Sequence, residues 1–174
     1  VYHIPHLTDF SLSPDPEAIR RFQEILKAEQ PSLVHLTNIS NIEVVKICQA
    51  TAPTFHSIYT HSIYCPGENK YSPVTRSVCT KPFGPLCIVS GLLTHCTSRR
   101  PHVLLKSYLR SLELLAHDRR LPLVIAPSRY VRDCLVQNGY PQQAVRVLLF
   151  FTSLPTLRGS ADDQLIPVRR DILE

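Results

Sequence analysis

Residues 32–62, SLVHLTNISNIEVVKICQATAPTFHSIYTHS, decide the fold because two short apolar segments flank one helical segment. Leu33–Thr37 is a continuous apolar run of the kind found in buried parallel strands. Ser40 and Glu43 have the spacing of a capping box and predict the start of a helix. Thr54–Thr60 predicts a second strand. Strand, helix and strand in this order predict two parallel strands joined by a helical crossover.

The same alternation continues on both sides of this unit. Upstream, Asp15 and Pro16 predict the start of an amphipathic helix, which Gln30 and Pro31 end. The elements predicted downstream are a helix over 104–115, a strand over 123–126, a helix capped by Ser128 and ended by Gly139, and a strand over 145–151.

Strands that alternate with helices predict a parallel sheet covered by helices on both faces. Because βαβ crossovers are right-handed, the predicted architecture is an α/β, Rossmann-like fold. We assign residues 1–158 to this domain. Residues 159–174 lose the apolar periodicity, and we interpret them as a linker or tail.

One long segment, Thr60–Ser98, has neither helical nor strand periodicity and predicts an irregular loop, which in a compact domain is usually functional. Its four cysteines are compatible with a structural zinc or an iron–sulfur cluster, with one or two disulfides, or with reduced thiols packed in a lid. Their spacings contain no C-x-x-C pair, and a cytosolic setting disfavours disulfides. They are Cys65, Cys79, Cys87 and Cys96, whereas Cys48 and Cys134 lie on apolar helix faces and are predicted core residues.

The composition limits the classes of function. A formal charge of +5 and a pI near 9.0 allow an acidic partner: nucleic acid, anionic lipid or a phosphorylated substrate. With neither a signal peptide nor a run long enough to span a bilayer, a cytoplasmic protein is expected, with the charge allowing contact with the anionic inner face of a membrane. The chain starts at Val1 and contains no methionine, so we expect a piece of a longer protein.

Polar side chains follow three of the predicted strands at the point where each strand ends. Because carboxyl ends of parallel strands meet at one edge of the sheet, Asn38, His61 and Ser128 are predicted to share a crevice. A histidine exchanges hydrogen bonds near neutral pH, and Arg129 after Ser128 could help a helix N-terminus hold an anion. Taken singly, each residue also suits a purely structural role. No glycine-rich fingerprint, Walker motif, serine elbow or zincin helix is present, which disfavours dehydrogenases, NTPases and hydrolases of those types.

Five segments in order resemble the N-terminal, acceptor-side domain of family-4 glycosyltransferases, the retaining class with the GT-B fold, and its subset with a cysteine-bearing loop. The resemblance covers about residues 18–155. Residues 30–39, QPSLVHLTNI, are similar to "PDIVHLHN"; residues 59–62, YTHS, to "LHD"; residues 63–66, IYCP, with the later cysteines and Gly84, to the cysteine loop; residues 124–133, VIAPSRYVRD, to "VIAPSxYVRD"; and residues 138–147, NGYPQQAVRV, to "NGxPxxKVxVI".

The resemblance implies transfer of a sugar from a nucleotide sugar to a glycan or lipid-linked acceptor, with retention of configuration and without a cofactor. His61 would line the cleft and hydrogen-bond the donor sugar or the acceptor, as the catalytic residue. Lys70 would attract a phosphate of a lipid-linked acceptor. The remaining substrate-binding residues implied are Asn38, Ser62, Ser128 and Arg129.

The sequence also departs from the family pattern. Ser62 stands where an aspartate is expected, and Thr37 replaces the second histidine of the "HLHN" strand. The 174 residues include neither the family's opening glycine-rich loop nor its nucleotide-sugar domain with the Glu-x7-Glu motif, so we expect this piece alone not to catalyse transfer. Two alternatives stay open: a non-catalytic Rossmann-like domain that binds a sugar or a partner, and a metal-stabilised nucleic-acid-binding module.

Overall fold

The computed structural model describes residues 2–5, 7, 15–39 and 41–149. The predicted tail, residues 159–174, lies outside these ranges. The elements in chain order are α1 (Pro16–Glu29), β1 (Val34–Thr37), α2 (Ile42–Thr51), β2 (Thr54–Ser57), β3 (Tyr71–Ser72), β4 (Ser77–Val78), α3 (Leu86–Thr94), α4 (Pro101–Asp118), β5 (Val124–Ala126), α5 (Arg129–Gln137), a short 3-10 helix (Gln142–Ala144) and β6 (Val145–Val147).

The main sheet has four parallel strands in the order β1-β2-β5-β6. Helices flank this sheet, and α2 also packs against α4. The α/β class and the parallel sheet predicted from the sequence are therefore confirmed, and the arrangement is compatible with a Rossmann-like fold.

The helix starts follow the capping chemistry of the sequence, with one shift. Asp15 accepts the N–H of Glu17 at 3.0 Å and caps α1. The capping box at Ser40 is wrong by one residue, because Asn41 is the N-cap of α2 and accepts the N–H of Glu43 at 3.0 Å. Asn41 also donates from Nδ2 to the carbonyl of Leu7, which fixes its orientation as a cap.

The strands are shorter than predicted. β2 ends at Ser57 instead of Thr60, since β1 ends at Thr37 and Asn38 turns away in the left-handed conformation with φ 52°. At the other edge, β6 ends at Val147, and residues 150–151 of the predicted strand lie outside the described ranges.

Residues 58–100, between β2 and α4, are called the excursion below, and the prediction of one long irregular loop there is wrong. The excursion contains the antiparallel β3–β4 ribbon and the helix α3. The α3 sequence LCIVSGLLT is apolar at nearly every position, so it has little of the periodicity that identifies a helix. The ribbon strands have two residues each, too few to show alternation.

The core lies between the sheet and its helices. Cys48 and Cys134 are buried in it, as the helix pattern predicts. Burial raises the pKa of the Cys48 thiol to about 11, so this side chain stays a protonated, apolar group at neutral pH.

A buried hydrogen-bonded chain crosses this core. Nε2 of His56 accepts the N–H of Ile39 at 3.1 Å, so the imidazole proton is on Nδ1, which lies 2.7 Å from Oδ1 of Asp118. The other carboxylate oxygen of Asp118 accepts the hydroxyl of Tyr140 at 2.7 Å. All three side chains are buried, and together they connect β2, α4 and the segment after α5. A satisfied network of this kind specifies one packing of its elements.

Removing the carboxylate is expected to destabilise the fold strongly. Asp118→Ala leaves the His56 N–H and the Tyr140 O–H buried without their acceptor, which should lower the free energy of unfolding by about 3–5 kcal/mol. Tyr140→Phe removes a single bond and should cost about 1–2 kcal/mol. Urea denaturation followed by circular dichroism measures both values. Equal losses in the two variants would show that the carboxylate is not the shared acceptor.

Candidate functional site

The carboxyl edge of β1 and β2 carries a short chain of polar side chains. The hydroxyl of Thr60 donates to Oδ1 of Asn38 at 2.8 Å. Oγ of Ser62 lies 2.8 Å from the same hydroxyl oxygen and donates to it, because the Thr60 proton is already used. The structure therefore brings together two of the residues predicted from the strand ends and the resemblance, Asn38 and Ser62.

His61 stands between two tyrosines at this edge. Its Nδ1 lies 2.5 Å from the hydroxyl of Tyr64. Its ring also meets the ring of Tyr130 edge-on, with centroids 5.9 Å apart. Since Tyr130 belongs to the first turn of α5, the end of β2 and the start of α5 are adjacent, as the strand-end argument requires.

The imidazole of His61 is biased towards its neutral form. Partial burial lowers its pKa below the usual 6.5, and repulsion from the ammonium of Lys70 lowers it further. At neutral pH the ring therefore carries one N–H donor and one nitrogen acceptor, which suits exchange of hydrogen bonds with hydroxyl groups.

Ser128 and Arg129 play different roles in the structure. Ser128 is the N-cap of α5 and accepts the N–H of Val131 at 3.2 Å. Arg129 lines an open depression of about 510 Å³ beside the edge strand β6, together with Arg132 and Arg146. Three guanidinium groups make this depression attractive to anions. His61 is not among its lining residues, so Arg129 and His61 belong to two neighbouring features.

Lys70 is buried, with 3% of its surface exposed. Its ammonium donates to the carbonyl of Lys81 at 2.8 Å and lies 5.9 Å from the ring centre of Tyr64. These contacts connect the excursion to the residues around His61. The implied contact of Lys70 with an acceptor phosphate stays a prediction.

All four cysteines of the excursion line one apolar cavity of about 310 Å³. Burial raises the pKa of two of these thiols, Cys65 and Cys87, which favours the protonated form. The cysteines are free, and within residues 2–5, 7, 15–39 and 41–149 no group of three or more His, Cys, Asp or Glu side chains is arranged to hold a metal ion. In this arrangement the four thiols do not form a metal-ligand set.

Sequence reasoning did not single out the aromatic partners of His61. Tyr64 and Tyr130 lie near His61 and Ser128 in the chain, yet a tyrosine in an apolar segment is usually a core residue. The half-exposed ring of Tyr130, with 48% of its surface accessible, shows its position at the edge only once α5 is placed. Arg146 was likewise unrecognised, because its proximity to Arg129 depends on the pairing of β5 with β6.

Comparison of the chain with protein-family models, with curated proteins and with solved structures found no match.

The two ends of the excursion meet at Gly67. A Cβ built on this glycine would lie 1.8 Å from the carbonyl oxygen of Cys96, a distance that no side chain can occupy. The hydroxyl of Thr97 donates to the carbonyl of Pro66 at 3.3 Å and supports the same contact. We call this contact the neck of the excursion.

Gly67→Ala is expected to separate the two chains of the neck. The substitution should lower the free energy of unfolding by about 2 kcal/mol or more, as overpacking does. It should also speed the reaction of the cavity thiols with a chromogenic disulfide reagent. Urea denaturation and the kinetics of thiol labelling measure the two effects.

Gly84→Ala is the matched control, because its added Cβ would meet nothing within 4 Å. It should change the free energy of unfolding by less than about 0.5 kcal/mol. If the Gly67→Ala protein is as stable as this control and its thiols react at the wild-type rate, the close backbone contact at Gly67 is contradicted.

Proposed function

We propose that the chain is the acceptor-side domain of a nucleotide-sugar-dependent glycosyltransferase that transfers a sugar, with retention, to a glycan or lipid-linked acceptor. The observation that supports this proposal best is His61 at the carboxyl edge of a parallel sheet, with its ring held between Tyr64 and Tyr130. Ligands of open α/β sheets bind at this edge.

The hydrogen-bonding state of His61 suits a sugar hydroxyl. Tyr64 is buried and its pKa is raised by that burial, so its hydroxyl keeps its proton, and in the proposed site it donates this proton to Nδ1 of His61. The imidazole proton is then on Nε2, which serves as a fixed donor to a hydroxyl or phosphoryl oxygen of the substrate. A donor fixed before the substrate arrives needs little reorganisation during transfer.

The residues around His61 offer the other contacts that a sugar needs. The ring of Tyr130 presents an apolar surface of the kind that packs against a sugar face, and it ends in a hydroxyl. The side chain of Asn38 lies on the same edge and brings further hydrogen-bonding atoms, and buried Ser62 supports it through Thr60. In the proposed reaction these groups orient the acceptor, and the increase in rate comes from this positioning.

The proposed reaction needs a second, donor-binding domain, since the donor lies between two such domains in the family that the sequence resembles. The 174-residue chain alone is therefore expected to bind ligands without turnover. A non-catalytic sugar-binding domain would use the same edge residues. It would differ because a donor-binding domain supplied together with the chain would bring no release of nucleoside diphosphate.

Ligand binding at His61 is expected to depend on pH in one direction. Nε2 of His61 donates in both protonation states and the imidazolium donates more strongly to a phosphoryl oxygen, so affinity for UDP- and GDP-sugars should be constant above neutrality and rise as pH drops through the lowered pKa of His61. Nuclear magnetic resonance titration with a panel of UDP-sugars, GDP-sugars and short oligosaccharides, repeated between pH 5 and 8 (roughly the range in which histidine titrates), measures this dependence. Affinity that falls on acidification would overturn the assigned role of His61.

Replacing His61 tests the site itself. His61→Gln should weaken binding of the best ligand of that panel by about tenfold, the value of one good hydrogen bond. The control is His102→Gln, which alters an exposed histidine of α4 and should leave binding unchanged. If no member of the panel shifts the resonances of His61 or Tyr130, the proposal fails.

A further inference from the structure

The open depression beside β6 is lined by three guanidinium groups, those of Arg129, Arg132 and Arg146, and is called the arginine depression below. Its volume of about 510 Å³ falls within the range of small-molecule sites, roughly 300–1,000 Å³. None of the described residues that line it is acidic. Asp133 lies beside it, 3.7 Å from Arg132. Three guanidinium groups against this one carboxylate give the arginine depression a positive potential.

The three arginines come from two elements that the fold places side by side. Arg129 and Arg132 stand at the start of α5, and residues at this spacing are neighbours on one side of a helix. Arg146 is the central residue of β6, which is an edge strand of the sheet. Because α5 packs against β6, the arginines of both elements line the same depression.

The other polar groups of the arginine depression are uncharged. Gln142 and Gln143 are exposed residues of the 3-10 helix before β6 and line the depression with their amides. An amide donates and accepts hydrogen bonds, as the hydroxyl groups of a sugar require. A single-stranded nucleic acid would use aromatic rings for stacking, and no aromatic residue is among the described lining. Guanidinium groups beside amides therefore suit a sugar that carries an acidic group.

Tyr130 connects the arginine depression to His61. It follows Arg129 in α5, is half-exposed, and its ring centre lies 5.9 Å from that of His61. In the sheet order, β5 alone separates β2 from β6, so these two strands are about 10 Å apart, two strand spacings. A ligand that contacts both His61 and the arginines is therefore longer than one monosaccharide and passes the ring of Tyr130.

We propose that the acceptor is an anionic glycan, whose acidic group binds in the arginine depression while its reacting sugar lies at His61. The acidic group is a phosphate or a carboxylate, which guanidinium groups bind through paired hydrogen bonds. This inference rests on the proposed function and deepens it, because it names the class of acceptor. Arg132 and Arg146 are then the residues that determine specificity for the charged acceptor.

Nuclear magnetic resonance titration of the full chain with inorganic pyrophosphate tests the arginine depression by itself. The backbone amides of residues 142–147 should shift, and binding should weaken at high salt. Arg132→Gln combined with Arg146→Gln should weaken binding by at least about tenfold, because hydrogen bonds between charged groups are lost. The matched control, Arg99→Gln with Arg100→Gln, removes the same charge at exposed positions outside the depression and should bind pyrophosphate like the wild type.

Oligosaccharides of equal length test the class of acceptor. One pair is chitotetraose and the hyaluronan tetrasaccharide, which carries carboxylates, and the other is maltotetraose and its phosphate ester. In at least one pair the anionic member should bind the wild type about tenfold more tightly than the neutral member and shift the resonances of both Tyr130 and Arg146. In the Arg132→Gln, Arg146→Gln protein the two members should bind alike. Circular dichroism should show the variants folded.

Three results would overturn the inference. The first is pyrophosphate binding that is absent, or that both double variants weaken equally. The second is that neither pair shows tighter binding of its anionic member; if a neutral oligosaccharide still shifts His61, the proposed function survives this result. The third is a single-stranded oligonucleotide that binds more tightly than every oligosaccharide and is lost with the arginines, which would assign the arginine depression to nucleic acid.

Discussion

The carboxylate of Asp118 is the constraint on which the rest of the structure depends. It accepts from His56 on the second strand of the sheet and from Tyr140 after the last helix, and all three groups are inaccessible to water. A buried carboxylate is tolerated only with such partners, so the three elements have one relative position that satisfies them. The same hydrogen-bonded network also fixes the turn that follows β1, because His56 accepts the N–H of Ile39.

That fixed position places the candidate site. The turn after β1 carries Asn38, and the continuation of β2 carries Thr60 and His61. Because the turn and β2 are held together by buried groups, the polar side chains at the edge lie within hydrogen-bonding distance of one another. The arrangement separates the two tasks of the fold: buried groups hold the backbone, and the edge residues remain available for a ligand.

The sequence predicted the sheet better than it predicted the excursion. Apolar runs such as Leu33–Thr37 and caps such as Ser128 depend only on neighbouring residues. They can therefore be recognised in a single sequence. The helix α3 was missed because most of its residues are apolar, which leaves little helical periodicity. Burial of Lys70 was missed because nothing near a single lysine in the sequence indicates its partner carbonyl. The strand-end pattern singled out Asn38 and His61, and it missed Tyr130 because the contact of Tyr130 with His61 depends on tertiary packing.

The neck at Gly67 also bears on where the chain can vary in length. Since the excursion leaves and returns through one backbone contact, residues gained or lost at the tip of its β3–β4 ribbon do not change the distance between the ends. Natural insertions and deletions should therefore accumulate at residues 73–76, while the glycine is retained. A reporter peptide grafted at that tip would be displayed away from the sheet.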